Sequence, residues 1–198
     1  MNLNKLKILI EQKRGQFQQL ELEKKQIITK TDVLTEERNE VEQARTVLQM
    51  VAQLTQQQIE SYIEDVVTMA LSIVFDESYN FRVKFIQKRN KTECDLYLEQ
   101  NGNRVETYGG GVRNVMAFAL RVGLLNLTRN DKVLLLDEPF HFLHSKILQQ
   151  RVSELLQVLS KQFKLQLIMI TGEESEEIIS NADKVFKVVK TKGVSNVL

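Results

Sequence analysis

Two adjacent acids, Asp137 and Glu138, close the apolar run Val133-Leu134-Leu135-Leu136 and precede the chain's one proline, Pro139. An unbroken run of this kind is what a parallel strand covered on both faces carries. Ligands of open α/β sheets bind just beyond the carboxyl ends of the strands. An aspartate placed there can hold Mg²⁺ through water, and a glutamate beside it can orient or deprotonate an attacking water. Upstream, three consecutive glycines, Gly109, Gly110 and Gly111, lead into an amphipathic stretch from Val112 to about Thr128. Glycines let a backbone approach a ligand closely. The first turn of a helix adds unpaired N–H groups and a partial positive charge, a combination suited to phosphate.

These residues need a scaffold. Residues 1 to about 75 contain no proline and one glycine, Gly15. Counted by sevens, Leu6, Lys13, Leu20, Ile27, Leu34, Val41, Leu48, Thr55 and Tyr62 are apolar at seven of nine positions, and the companion row from Leu3 to Val66 is apolar only at its ends. One narrow seam on a long helix makes a coiled-coil strand, on the order of 100 Å long, that needs a partner helix. The alternatives are a solitary charged helix or a helical hairpin broken near Thr29 to Thr35. From Ile59 the stripe widens through Ile63, Val66, Val67, Ala70, Leu71 and Val74, where the helix enters a globular head.

Phe81, Val83 and Phe85 alternate with polar residues, as do Cys94, Leu96 and Leu98, across a charged turn from Lys88 to Thr92; this predicts a β-hairpin. The basic turn is either a solvated tip or a DNA contact. Asn101-Gly102 signals a type I′ turn into a short strand. After the acids, Ser145 to Phe163 reads as an amphipathic helix with Ile147, Leu148, Val152, Leu155, Leu156 and Leu159 inward. Leu165 to Ile170 reads as a buried strand, Glu173 to Ala182 as a short acidic helix, and Lys184 to Val189 as a last strand. Alternating strands and helices predict an α/β lobe with a right-handed parallel sheet.

Composition narrows the classes. A chain of 198 residues holds one domain plus an extension, and a net charge of +1 argues neither for nor against nucleic acid. The single Cys94 excludes an internal disulfide and a cysteine-rich zinc site. With no long apolar run and no signal peptide before the charged N-terminus, a cytoplasmic protein is expected.

The glycine segment and the acidic strand together resemble the signature and Walker B motifs of ABC-type ATPases, in particular the SMC/SbcC branch that handles chromosomes and DNA breaks. The resemblance runs along nearly the whole chain. It implies the C-terminal lobe of such an ATPase head, with residues 1–62 as a coiled-coil helix and 63–198 as the lobe. It makes Glu138 the catalytic base and Asp137 the Mg²⁺ ligand. Gly109, Gly110, Gly111, Arg113, Asn114 and His144 would stand on the nucleotide side. It also implies ATP and Mg²⁺, DNA repair or recombination, an antiparallel coiled-coil partner, an attached nuclease, DNA reached through the complex, and the cytoplasm of a bacterial or phage-infected cell. A homodimer is also open.

The pattern departs from the family at several positions. Gly109 stands where the family has serine, Val112 where it has a polar residue, and His144 where an aspartate closes the loop after Walker B. Gly172 follows Thr171 where the family has a switch histidine. None of the eight glycines is followed by lysine, so no Walker A loop lies within these 198 residues. Three readings follow: half of a split ATPase completed by a partner's Walker A lobe, a catalytically silent protein docked on such an ATPase, or an assembly scaffold. His144 reads as a nucleotide contact across an interface or as a solvated neighbour of a helix cap. His141 reads as surface, and Arg121 as structural.

Overall fold

In the computed structural model, residues 3–89, 91–128, 131–172, 176–191 and 194–197 are described. The chain divides into two units, Met1–Thr55 and Gln56–Leu198. Helix α1 spans Leu3–Val74. Within the first unit it is unbroken from Leu3, and Leu20, Ile27, Leu34, Val41 and Leu48 of the predicted seam all face solvent. The hairpin alternative fails: the helix continues through Thr29 to Thr35, where the threonine hydroxyls bond back onto it. Thr29, Thr31 and Thr35 donate to the carbonyls of Lys25, Ile27 and Thr31 at 3.0, 2.8 and 2.7 Å.

In the second unit the last turns of α1 bury Ile63, Val66, Val67, Ala70, Leu71 and Val74, the widened stripe read from the sequence. They pack in one apolar core with α2 (Gly110–Leu127), α3 (Lys146–Phe163) and the inner residues of the strands. Gly123 of α2 lets the helices close up, since a Cβ there would stand 2.9 Å from Ile63 Cδ1. Arg151 of α3 ties down the end of α1, donating to the Val74 carbonyl at 3.2 Å and pairing with Asp76 at 2.9 Å.

Strands β1 (Asn80–Lys88), β2 (Lys91–Gln100) and β3 (Asn103–Val105) form an antiparallel sheet in that order. Asn101 and Gly102 both have positive φ, 52° and 78°, as the I′ signal requires. Strand β1 is an edge, and α1 closes it. Thr68, Glu64 and Glu60 accept hydrogen bonds from the backbone N–H groups of Phe81, Val83 and Phe85 at 2.9, 2.8 and 3.1 Å. Four helical residues rise about 6 Å and two strand residues about 6.6 Å, so side chains four apart reach N–H groups two apart. Arg82 bridges Glu64 and Glu99 at 3.0 and 2.8 Å, and these carboxylates, Glu99 foremost, raise its pKa further.

Glu64→Ala is expected to cost about 1–3 kcal/mol in urea unfolding, because it strips an acceptor from Val83 N–H as well as one partner of Arg82. Glu64→Gln keeps a carbonyl acceptor and should cost less than half as much.

Strands β4 (Val133–Asp137) and β5 (Gln166–Ile170) pair in parallel around α3, with Asp137 opposite Ile170. Here the reading from the sequence needs correcting. Leu134, Leu136, Leu167 and Met169 face the core, but the other face is open, with Leu135 72% and Ile170 65% exposed. Among the described residues the apolar run is covered on one side only. Ile147 is also 63% exposed rather than inward, because the buried stripe of α3 starts at Gln149 and continues through Val152, Leu155, Leu159 and Phe163.

The start of the expected acidic helix lies outside the described residues. The described remainder, residues 176–181, makes turns instead, and of its residues only Ile178 is buried, too little to hold a short helix. The last strand does not join the parallel pair. Strand β6 (Val188–Thr191) takes the local partner β7 (Val194–Val197) in an antiparallel hairpin, a pairing with a far smaller loop to close.

Candidate functional site

Asp137 ends β4 on the same open face as Leu135 and Ile170, with its side chain in solvent. The ladder runs one residue further, since Glu138 N–H donates to Ile170 O at 2.9 Å. The chain then breaks sharply. Glu138 has φ 41°, a left-handed conformation that costs a non-glycine residue of order 1–3 kcal/mol. Two anchors hold the turn that follows. Phe140 is buried edge-on against Phe118 of α2, with ring centres 5.3 Å apart. Leu143 is buried as well, and its carbonyl accepts from the buried Gln149 amide at 2.8 Å. Glu138 is therefore exposed on a fixed pedestal.

Gly109 caps α2 in extended conformation and Gly110 and Gly111 form its first turn. Two of these glycines answer a packing need inside the chain. A Cβ on Gly110 would stand 2.9 Å from Phe142 Cγ, and one on Gly111 would stand 2.6 Å from Leu143 Cδ2. Gly109 meets nothing within 4 Å. Gly111→Ala should thus lower stability by about 1–3 kcal/mol, whereas Gly109→Ser should leave it within about 0.5 kcal/mol. Thermal unfolding of the two variants side by side checks this.

The candidate residues fall into two groups. Asn114, Asp137 and Glu138 line one open concavity of ≈ 640 Å³. The Asn114 Nδ2 is fully buried and has no hydrogen-bond partner among the described residues. Glu138 and His144 line a smaller cavity of ≈ 190 Å³ with Thr171 and Gly172. Gly109 to Gly111 and Arg113 line neither; Arg113 is exposed, with its guanidinium 5.9 Å from the Tyr108 ring centre. Gly110 and Gly111 lie against Phe142 and Leu143, in the turn that follows the acids.

Two residues set aside in the sequence belong with the acids. Arg121, seven residues after Asn114 on α2, lines the larger concavity, and His141 lines both. The i, i+7 spacing on one helix face was the available signal for Arg121. Among the described residues no three His, Cys, Asp or Glu side chains gather to hold a metal. Mg²⁺ at Asp137 fits only as an ion keeping most of its oxygens from water and phosphate, which is its ordinary habit. No described helix is long and apolar enough to cross a membrane.

No protein-family profile matches the sequence, and no curated protein does. Solved structures do. A structure from work on ATP-driven dimerisation and DNA-stimulated activation of SMC ATPases superposes with TM-score 0.54 at 20% identity, over 74% of this chain and 87% of that one. The Smc head of Pyrococcus furiosus, with an extended coiled coil and bound to the C-terminal domain of ScpA, gives 0.56 at 19% identity, over 78% of this chain. The Smc head of Pyrococcus yayanosii, with a coiled coil and joint, gives 0.55 at 18% identity, also over 78%. This chain spans 40% and 31% of those two Pyrococcus chains. At such identities the likeness is one of fold: a mixed α/β lobe of the SMC ATPase head type, with a long N-terminal helix.

Proposed function

We propose that this chain is the C-terminal lobe of a split SMC/SbcC-like ATPase acting in DNA repair or recombination. It gives the glycine signature and Walker B acids to an ATP site that a partner chain completes with Walker A. The observation that carries the reading is the open face of β4 and β5. It is apolar, it ends in Asp137, and in two of the solved Smc heads this chain matches only 40% and 31% of the other chain's length. The partner lobe covers that face, and its antiparallel helix covers the seam of residues 1–62. DNA and a nuclease subunit are reached through this complex, and the boundary at 62/63 separates coiled coil from lobe.

In the assembled site Glu138 accepts the proton of a water directed at the terminal phosphate, from a backbone that its turn holds rigid. Asp137 would hold Mg²⁺, which when bound would supply neutralisation of the phosphate charge. The N–H groups at Gly109 to Gly111, with Arg113, Asn114 and His144, contact nucleotide oxygens. Gly109 and Gly172 in place of serine and histidine favour a second reading, a silent binder that docks on such an ATPase through the same face.

Titration calorimetry of the isolated chain with Mg²⁺ and ATP is expected to show no binding, because no Walker A loop lies within these 198 residues. Co-purification from the native cell should recover a Walker A chain. Tight ATP binding by the isolated chain would overturn the proposal.

A further inference from the structure

His141 sits three residues after Glu138 and is held more firmly than an exposed histidine requires. Its backbone N–H and its ring Nδ1 both approach the Glu138 carbonyl, at 3.4 and 3.2 Å. A carbonyl oxygen only accepts, so Nδ1 carries the proton and donates. A neutral imidazole with its proton on Nδ1 carries its lone pair on Nε2. The other face of the ring is braced by Phe142, with centroids 3.9 Å apart, and Phe142 itself packs over Gly110. The braced imidazole borders both concavities that meet at Glu138. Across the smaller one, Gly172 contributes no side chain, and Glu138 Oε1 lies 3.9 Å from where its Cβ would stand.

We propose that His141 is a positioning residue of this site, whose Nε2 accepts one O–H of the water that Glu138 deprotonates. Two acceptors fix both hydrogens of that water and so aim its lone pair, a task one carboxylate leaves half done. The inference rests on Glu138 acting on water, and extends that reading to a side chain outside the signature and Walker B stretches.

Two measurements test it. In the isolated chain, long-range ¹H–¹⁵N spectra of the ring at neutral pH should show His141 as the Nδ1–H tautomer, and an Nε2–H tautomer overturns the inference. In the co-purified complex turning over Mg²⁺ and ATP, His141→Asn keeps a donor near Nδ1 but has no acceptor at Nε2, whereas His141→Gln places one there. Loss of a single such hydrogen bond predicts a fall in kcat of about 10- to 100-fold for His141→Asn, with KM unchanged and His141→Gln retaining most of the rate. The reverse order, or equal loss with a lowered melting temperature, assigns His141 to the turn alone and overturns the inference. Full turnover by Glu138→Gln is a different failure: it removes the reading of Glu138, while the tautomer still reports on the ring itself.

Discussion

Glu138→Gln is expected to lower ATP turnover of the assembled complex by on the order of 10²- to 10⁴-fold, with nucleotide affinity retained. The substitution is nearly isosteric and touches no packing. The Glu138 side chain is exposed, and its structural work is done by the backbone, through the N–H on Ile170 and the carbonyl on His141. Glutamine preserves both contacts and tolerates the same left-handed turn about as well. What it removes is a proton acceptor. Single-turnover kinetics against wild type, with thermal unfolding as control, separates chemistry from folding. An unchanged rate would take the base away from position 138 and favour the silent binder.

The second large effect concerns assembly. Leu135→Asp combined with Ile170→Asp should leave the isolated chain within about 1 kcal/mol of wild type, since both side chains already stand in water. The same pair should weaken association with the Walker A lobe more than about 100-fold, because it buries two charges at the centre of an apolar contact. Urea unfolding and sedimentation of the mixed chains read the two numbers independently. If the double variant unfolds alone, the face is not free. If the complex forms normally, the lobe docks elsewhere.

What could be read from residues alone follows the range of the forces involved. The hairpin, the I′ turn at Asn101-Gly102 and the buried stripe from Ile63 to Val74 are set by neighbours within a few positions, and they stand where periodicity put them. The exposure of Leu135 and Ile170 could not be read that way. Val133 to Leu136 has the composition of a strand buried on both faces, yet Leu135 and Ile170 stand exposed on one of them, and composition alone does not say which face the fold leaves open. The last strand followed the same logic in reverse: Val188–Thr191 looks fit for the parallel sheet, yet the nearest partner in sequence takes it. In the candidate site, the adjacent acids can be picked out by type and position, and they stand exposed at the end of β4. His141 could not be, because its hydrogen bond to the Glu138 carbonyl and its ring contact with Phe142 have no sequence spacing of their own.

The three bonds from α1 to the edge of β1 have a mechanical corollary. Acceptors recur every fourth residue along the helix, so a slide or twist by one or two residues leaves Phe81, Val83 and Phe85 N–H without Thr68, Glu64 and Glu60. Acceptors come back into line three residues on, with Asp65, Ser61 and Gln57, or four residues and about 6 Å on, with Glu64, Glu60 and Gln56 in their place. Residues 56–74 are therefore keyed to the antiparallel sheet: a small slide or twist of the helix breaks all three bonds before another row of acceptors can replace them.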